Sequence, residues 1–179
     1  MIKHHLLAKI YHDLGKQTTN FSLQHSWLDG ADKHFTKRRT FLDLDPAADD
    51  WFIQSCNHRQ ILLNEIIVDF DRPIPRETAL QDPEIAELLR ELIDDEWRFV
   101  VYHTGSKGVH VHIYNDRLST MQRQERETFR LTFLQNFNLT GVDLQLKSDN
   151  VMIALEHVPH WKTGQMKTVL FNHGVRAWM

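Results

Sequence analysis

Arg98-Phe99-Val100-Val101-Tyr102-His103-Thr104-Gly105-Ser106-Lys107-Gly108-Val109-His110-Val111-His112-Ile113-Tyr114 is the stretch whose reading decides the fold. Two runs rich in β-branched and aromatic residues, 98–103 and 109–114, flank the loop Thr104-Gly105-Ser106-Lys107-Gly108, a hairpin signal of the longer-loop kind. Alternation puts His110 and His112 on one face of the second strand and Val109 and Val111 on the other. The loop lets the backbone approach a ligand at both glycines, and it offers amide donors, two hydroxyls and one ammonium. That set suits a polyphosphate. The same residues also read as a plain hairpin loop with solvent-facing histidines.

Upstream, Glu65-Ile66-Ile67-Val68-Asp69-Phe70-Asp71 reads as a buried strand with an acidic end, terminated by Pro73 and Pro75. Side chains at i and i+2 share a strand face, with α-carbons about 7 Å apart, so Asp69 and Asp71 project together. Two such carboxylates repel, a divalent cation removes the conflict, and hard oxygen ligands suit Mg²⁺ or Mn²⁺. In the plainer alternative, Asp71 opens the turn and Asp69 pairs with an arginine. Asp43 and Asp45 have the same spacing, but they precede Pro46 behind a weaker strand and read as an exposed strand end.

Outward from these strands, residues 3–14 place Leu6, Leu7, Ile10, Tyr11 and Leu14 on one helical face, with Gly15 as a stop. Residues 16–60 mix aromatics with the basic run Lys33 to Arg39. Asp82-Pro83 opens a second helix with an apolar stripe through Ile85, Leu88, Leu89, Leu92 and Ile93 and an acidic outer face. Ser119-Thr120-Met121-Gln122 reads as a capping box opening a third helix to about Phe137, buried through Phe129, Phe133, Leu134 and Phe137. Strands near 151–156 and 167–171 complete an order of α, β, α, β-hairpin, α, β, β. That order predicts an α+β sandwich rather than a doubly wound parallel sheet.

The chain has 179 residues, 41% apolar and 25% charged, with 21 Lys+Arg against 24 Asp+Glu and a net charge of −3. This balance excludes a disordered or wholly basic chain, though not a local basic groove. No linker divides it, so one domain over 1–179 is expected, with 1–60 as an N-terminal lobe. The single cysteine, Cys56, excludes an intramolecular disulfide and a multi-cysteine zinc site. With no apolar run near the ~20 residues that cross a bilayer and no secretory signal at the start, the expectation is a cytoplasmic protein without a membrane partner.

Further polar sites are Val142-Asp143-Leu144, a carboxylate between apolar neighbours, and His160-Trp161-Lys162-Thr163-Gly164, a basic loop between strands. Arg123, Arg126 and Arg130 share a helical face and, with Lys37, Arg38 and Arg39, could track a phosphate backbone while Trp161 stacks on bases. Glu125 and Glu127 among the arginines allow the alternative of a solvated face of mixed charge.

Val68-Asp69-Phe70-Asp71 resembles the hydrophobic-Asp-x-Asp motif of the archaeo-eukaryotic primase superfamily. Thr104-Gly105-Ser106-Lys107-Gly108-Val109-His110 is similar to its Ser-Gly-x-(Lys/Arg)-Gly-x-His motif, with Thr104 in the serine position. Val142-Asp143 resembles the third motif, and His160-Trp161-Lys162-Thr163-Gly164 the His-x-Lys-Thr-Gly stretch of archaeal and eukaryotic primase small subunits. The resemblance runs from about residue 35 onward and departs at Ala154, near which family members carry an arginine.

The resemblance implies a primase-type palm: a mixed or antiparallel, RRM-like sheet flanked by helices in two closely packed lobes. It implies a template-dependent nucleotidyltransferase, a DNA primase or primase-polymerase, using two Mg²⁺ or Mn²⁺ ions held by Asp69, Asp71 and Asp143. Thr104, Ser106, Lys107 and His110 would grip the triphosphate of an NTP or dNTP, with His160 and Lys162 on its sugar or phosphates. The implied partners are a single-stranded DNA template and a large subunit, accessory domain or helicase, and no zinc is expected. A DNA template extends the expected location from cytoplasmic to nucleoid-associated. Two other readings compete. His110-Val111-His112 also matches the metal motif of rolling-circle replication nucleases, and a catalytically degenerate primase-like fold would serve as a nucleotide-binding module.

Overall fold

The computed structural model describes residues 2–15, 20–137 and 139–175. Its central sheet is antiparallel and built from β6 (Glu65–Phe70), β7 (Arg98–His103), β8 (Val109–Tyr114) and β10 (Thr168–His173) in the order β10-β7-β8-β6. The β7–β8 hairpin falls on the predicted residues, pairing Arg98 with Tyr114 and His103 with Val109. Period-2 alternation sorts the strands onto two faces. Phe99, Val101, Val109, Val111, Ile113, Ile66, Val68 and Phe70 pack against α3 (Pro83–Asp94) and α4 (Arg123–Asn136) in one core.

The opposite face carries Val100, Tyr102 and Tyr114 into a second core with Leu7, Ile10, Phe21 and Phe52. That core belongs to α1 (Ile2–Lys9), its π-helical continuation Ile10–Gly15, α2 (Asp50–Ser55) and a second antiparallel sheet. The second sheet comprises β1 (Ser22–Gln24), β4 (Arg39–Thr40), β5 (His58–Gln60) and β9 (Met152–Ala154) in the order β4-β1-β5-β9. A two-stranded ribbon, β2 (Ser26–Asp29) and β3 (Asp32–Phe35), extends from it. The central sheet is therefore covered on both sides, and Asp69, His110 and His112 lie on the side facing the second sheet.

Local chemistry sets the element ends. The Asp82 carboxylate accepts from the Ile85 N–H at the start of α3 and is fixed by Arg72, which also reaches Glu84. α4 starts later than predicted, because Asp116–Thr120 forms a 3₁₀ turn. The Glu125 carboxylate then accepts from the Gln122 N–H, so the first turn closes three residues beyond Ser119. Asp45 accepts from the Ala47 and Ala48 amides, which makes the Asp43/Asp45 stretch a turn. No helix among the described residues is long and apolar enough to cross a membrane.

Candidate active site

Asp69 and Asp71 stand at the end of β6, and an antiparallel bridge joins Phe70 to Val142. That register sets Asp143 across from Asp69, so carboxylates more than 70 residues apart in sequence line one cleft of about 330 Å³. The Asp69 Oδ1 lies 3.3 Å from the His110 Nε2, and the Asp71 Oδ1 lies 3.3 Å from the Lys107 Nζ. Burial alone would raise the pKa of Asp69, but His110, with Lys167 and His112 behind it, holds the carboxyl below its ordinary value. Asp143 accepts from the Gln145 N–H and caps the 3₁₀ turn Leu144–Lys147. All three are anionic oxygen donors, the chemistry a hard divalent cation takes.

The loop between β7 and β8 closes the cleft opposite these carboxylates. Its amides are largely committed inside the loop. The Thr104 hydroxyl accepts from the Ser106 and Gly108 N–H groups, and the His103 Nδ1 accepts from Gly105. Thr104 is buried and organises the loop, leaving the Ser106 hydroxyl and the Lys107 ammonium to face the cleft. Both glycines are dictated by close approach. A Cβ at Gly105 would strike the Gln165 carbonyl, and one at Gly108 would strike the Phe70 carbonyl, next to Asp71. Gly108→Ala is expected to destabilise the fold by about 1–3 kcal/mol, as overpacking does, with the loss read as a lower thermal midpoint.

The third wall is the 160–165 turn, held by Gly164 N–H to His160 O and His160 N–H to Gln165 O, with Thr163 hydrogen-bonded to the Gly105 carbonyl. It brings His160, Trp161 and Lys162 to the cleft, where His58 of β5 joins them. His58 was not singled out by any motif. Burial, then the nearby Lys33 and His160, pushes its pKa down to about 4, and His160 is lowered by burial and Lys162.

Beneath the cleft, on the same face of β6 and β8, lies a fully buried ionic cluster. The Arg59 guanidinium donates to both oxygens of Glu65 at 2.7 and 2.8 Å and to both oxygens of Glu156 at 2.7 and 2.8 Å. Lys167 donates to the Ala154 carbonyl at 2.8 Å and approaches the His112 Nε2 at 3.1 Å, while the His112 Nδ1 lies 2.8 Å from Glu65. Glu65, His112 and Glu156 offer ligand atoms within 4.8 Å of one another, the spacing of a metal site, but the cations lodged among them are Arg59 and Lys167. His112 is thus committed to the interior, which removes the second ligand of the His-hydrophobic-His nuclease motif. Tyr102 and Tyr114 are buried as well.

A neutral His112 ring that donates through Nδ1 and accepts at Nε2 fits its pKa, pushed down to about 3 by burial and by Lys167. With His112 and His58 both lowered, the unfolded chain binds more protons than the native one between about pH 6.5 and their folded values. Stability is therefore expected to be full above about pH 6.5 and to fall on acidification by up to ~1.4 kcal/mol per pH unit for each histidine. Urea midpoints at pH 8, 6 and 4.5 measure it, and a flat profile would refute it.

The expected arginine face on α4 is corrected in part. Arg126 and Arg130 are buried, paired with Asp149 at 2.6 and 2.5 Å. Arg130 also donates to the carbonyls of Leu62, Leu63, Glu65 and Lys147, binding the start of β6 to the segment that follows Asp143. Neither is available to nucleic acid. Arg123 is exposed and pairs with Glu127. Of the other basic run, Arg39 is paired with Asp49, and Arg38 donates to the Asn150 carbonyl.

No family model and no curated protein matches the sequence. Solved structures do. The chain is similar to the polymerase domain from Mycobacterium tuberculosis Ligase D in complex with DNA, with a TM-score of 0.55 at 12% identity over 92% of this chain and 79% of that one. It is also similar to the AEP domain of the cyanophage S-2L primase-polymerase, with a TM-score of 0.57 at 15% identity over 95% of this chain and 88% of that one. An antiparallel sheet packed against helices is the fold that the motif resemblance implied. The chain shares its fold with these polymerase and primase-polymerase domains.

Proposed function

We propose that the chain is a template-directed nucleotidyltransferase that joins NTPs or dNTPs to a strand, with Asp69, Asp71 and Asp143 holding two Mg²⁺ or Mn²⁺ ions. The observation that carries this reading is the convergence of three carboxylates from separate segments on one cleft, opposite Ser106, Lys107, His110, His160 and Lys162. Bound there, the ions would supply Lewis-acid activation of the attacking 3′-hydroxyl and charge neutralisation of the leaving pyrophosphate. The chain's own part is positioning. Lys107 and Lys162 bring ammonium charge to a triphosphate, while Ser106 and His110 offer it hydrogen bonds. The end of β6, paired to β8 along its length, would fix where Asp69 and Asp71 meet the ions.

Ala154, nearest the arginine position of the family pattern, has no polar side chain, and its backbone carbonyl accepts from Lys167. Cationic contact with the nucleotide therefore rests on Lys107 and Lys162.

Primer extension on a single-stranded template, with labelled NTPs or dNTPs and either metal, tests the reading. Metal-dependent extension is expected. Strand nicking with a protein–DNA adduct at a tyrosine would replace the reading with a nuclease. Nucleotide binding without extension would replace it with a binding module.

A further inference from the structure

The β2–β3 ribbon stands at the mouth of the cleft, anchored where Asn57 brackets the Ser26 backbone and the Ser26 hydroxyl meets the His58 Nδ1 at 3.3 Å. Alternation gives the ribbon two unlike faces. One carries Trp27 and His34, paired across the strands and stacked at 5.5 Å, and ends in the carboxylates Asp29 and Asp32. The other carries Lys33 and Phe35 and turns toward the nucleotide cleft. There the Lys33 ammonium sits between two rings, 4.6 Å from Phe35 and 4.3 Å from Trp161, and Lys162 lies 5.0 Å from the Trp161 ring.

Phe35 is 51% exposed. Neither Lys33 nor Lys162 has a carboxylate within ion-pair distance among the described residues, and burial with the neighbouring Lys162 lowers the pKa of Lys33. Two ammonium groups without a carboxylate partner, lying against the exposed Phe35 ring and the half-buried Trp161 ring, form a surface that lacks an anion and offers aromatic rings to a base once the ammonium groups turn to phosphate.

The geometry points to the inner face of this ribbon, Lys33 and Phe35 with Trp161 and Lys162, as the site that takes an unpaired nucleic-acid strand beside the nucleotide cleft. Bases stack on Phe35 and Trp161, and phosphates meet Lys33 and, where the strand adjoins the nucleotide, Lys162, which the two share. A duplex hides its base faces and does not fit. The opposite ribbon face has aromatic rings, but its carboxylates repel phosphate. This assignment rests on the nucleotidyltransferase reading for its purpose but is measured independently of catalysis.

Anisotropy of a labelled single-stranded 20-mer with the full chain, without nucleotide or metal, tests it. Phe35→Ala is expected to weaken binding about tenfold, the effect of losing one base stack. Lys33→Gln with Lys162→Gln is expected to weaken binding and to flatten the slope of log K against log salt by about 1.4. Trp27→Ala is expected to bind as the parent does, and a blunt duplex to bind more weakly than the 20-mer. Unchanged affinity and slope in the first two variants would overturn the assignment. So would an equal loss in Trp27→Ala, or a duplex bound as tightly as the single strand. If extension is absent yet these losses appear, the strand site stands and the catalytic reading falls.

Discussion

Asp71→Asn is expected to abolish metal-dependent strand extension, lowering the rate by about 10³-fold or more while leaving the fold intact. The substitution keeps the shape of the side chain and removes its charge, so the proposed donor set for the cations drops from three anions to two. Metal-borne stabilisation of transition-state charge amounts to several kcal/mol, and each ~1.4 kcal/mol is a factor of ten in rate. Little else changes. The Asp71 side chain is 66% exposed, and its one ionic partner among the described residues is Lys107 at 3.3 Å. Surface substitutions of this kind usually shift stability by less than about 0.5 kcal/mol. Single-turnover extension by parent and variant, at matched thermal midpoints, measures the effect. A variant that extends at more than a tenth of the parental rate would place the metals elsewhere and sink the proposed role of β6.

The elements that form the cleft were readable because each obeys a local rule. The β7–β8 hairpin is fixed by two six-residue runs around a glycine-flanked loop, and β6 by an unbroken apolar stretch with an acidic end. The facing of Asp69, His110 and His112 follows from period-2 alternation alone. What resisted reading depends on long-range partners. Arg59 lies in Asn57-His58-Arg59-Gln60, where no periodicity marks it as buried, and its carboxylate partner Glu156 is 97 residues away. The second sheet is made of two- and three-residue strands that only pairing defines.

Arg126 and Arg130 did carry a usable signal. Stepping back from Phe137 through Phe133 and Leu134 by helical spacing lands on 130 and then 126. The buried stripe of α4 therefore continued into arginines, and Asp149 was the partner still missing from the reading.

Arg59→Met is expected to destabilise the protein by about 3–5 kcal/mol, a large part of the ~5–15 kcal/mol that holds a typical domain together. Arg59, Glu65 and Glu156 are all fully buried, and each carboxylate receives two charge-assisted hydrogen bonds from the one guanidinium. Removing that group leaves two buried anions whose remaining ammonium neighbour among the described residues is Lys167, 3.5 Å from Glu156, and uncompensated buried charge is far more costly than a lost surface pair. Arg59→Lys should rescue little, since a single ammonium cannot meet two carboxylates in the planar, bidentate way. Neutralising the partners in the same chain, with Glu65→Gln and Glu156→Gln added to Arg59→Met, should recover part of the loss, because the penalty lies in the orphaned charges rather than in lost packing. The cluster joins β5, β6, β8 and the segments flanking β9 and β10, directly below Asp69 and His110. A destabilised variant should therefore lose extension activity in step with its folded fraction, with no separate effect on the rate per folded molecule. Urea denaturation of the three variants together with activity titrated against folded fraction measures both, and a single variant as stable as the parent would show that the guanidinium is not what holds the two sheets together.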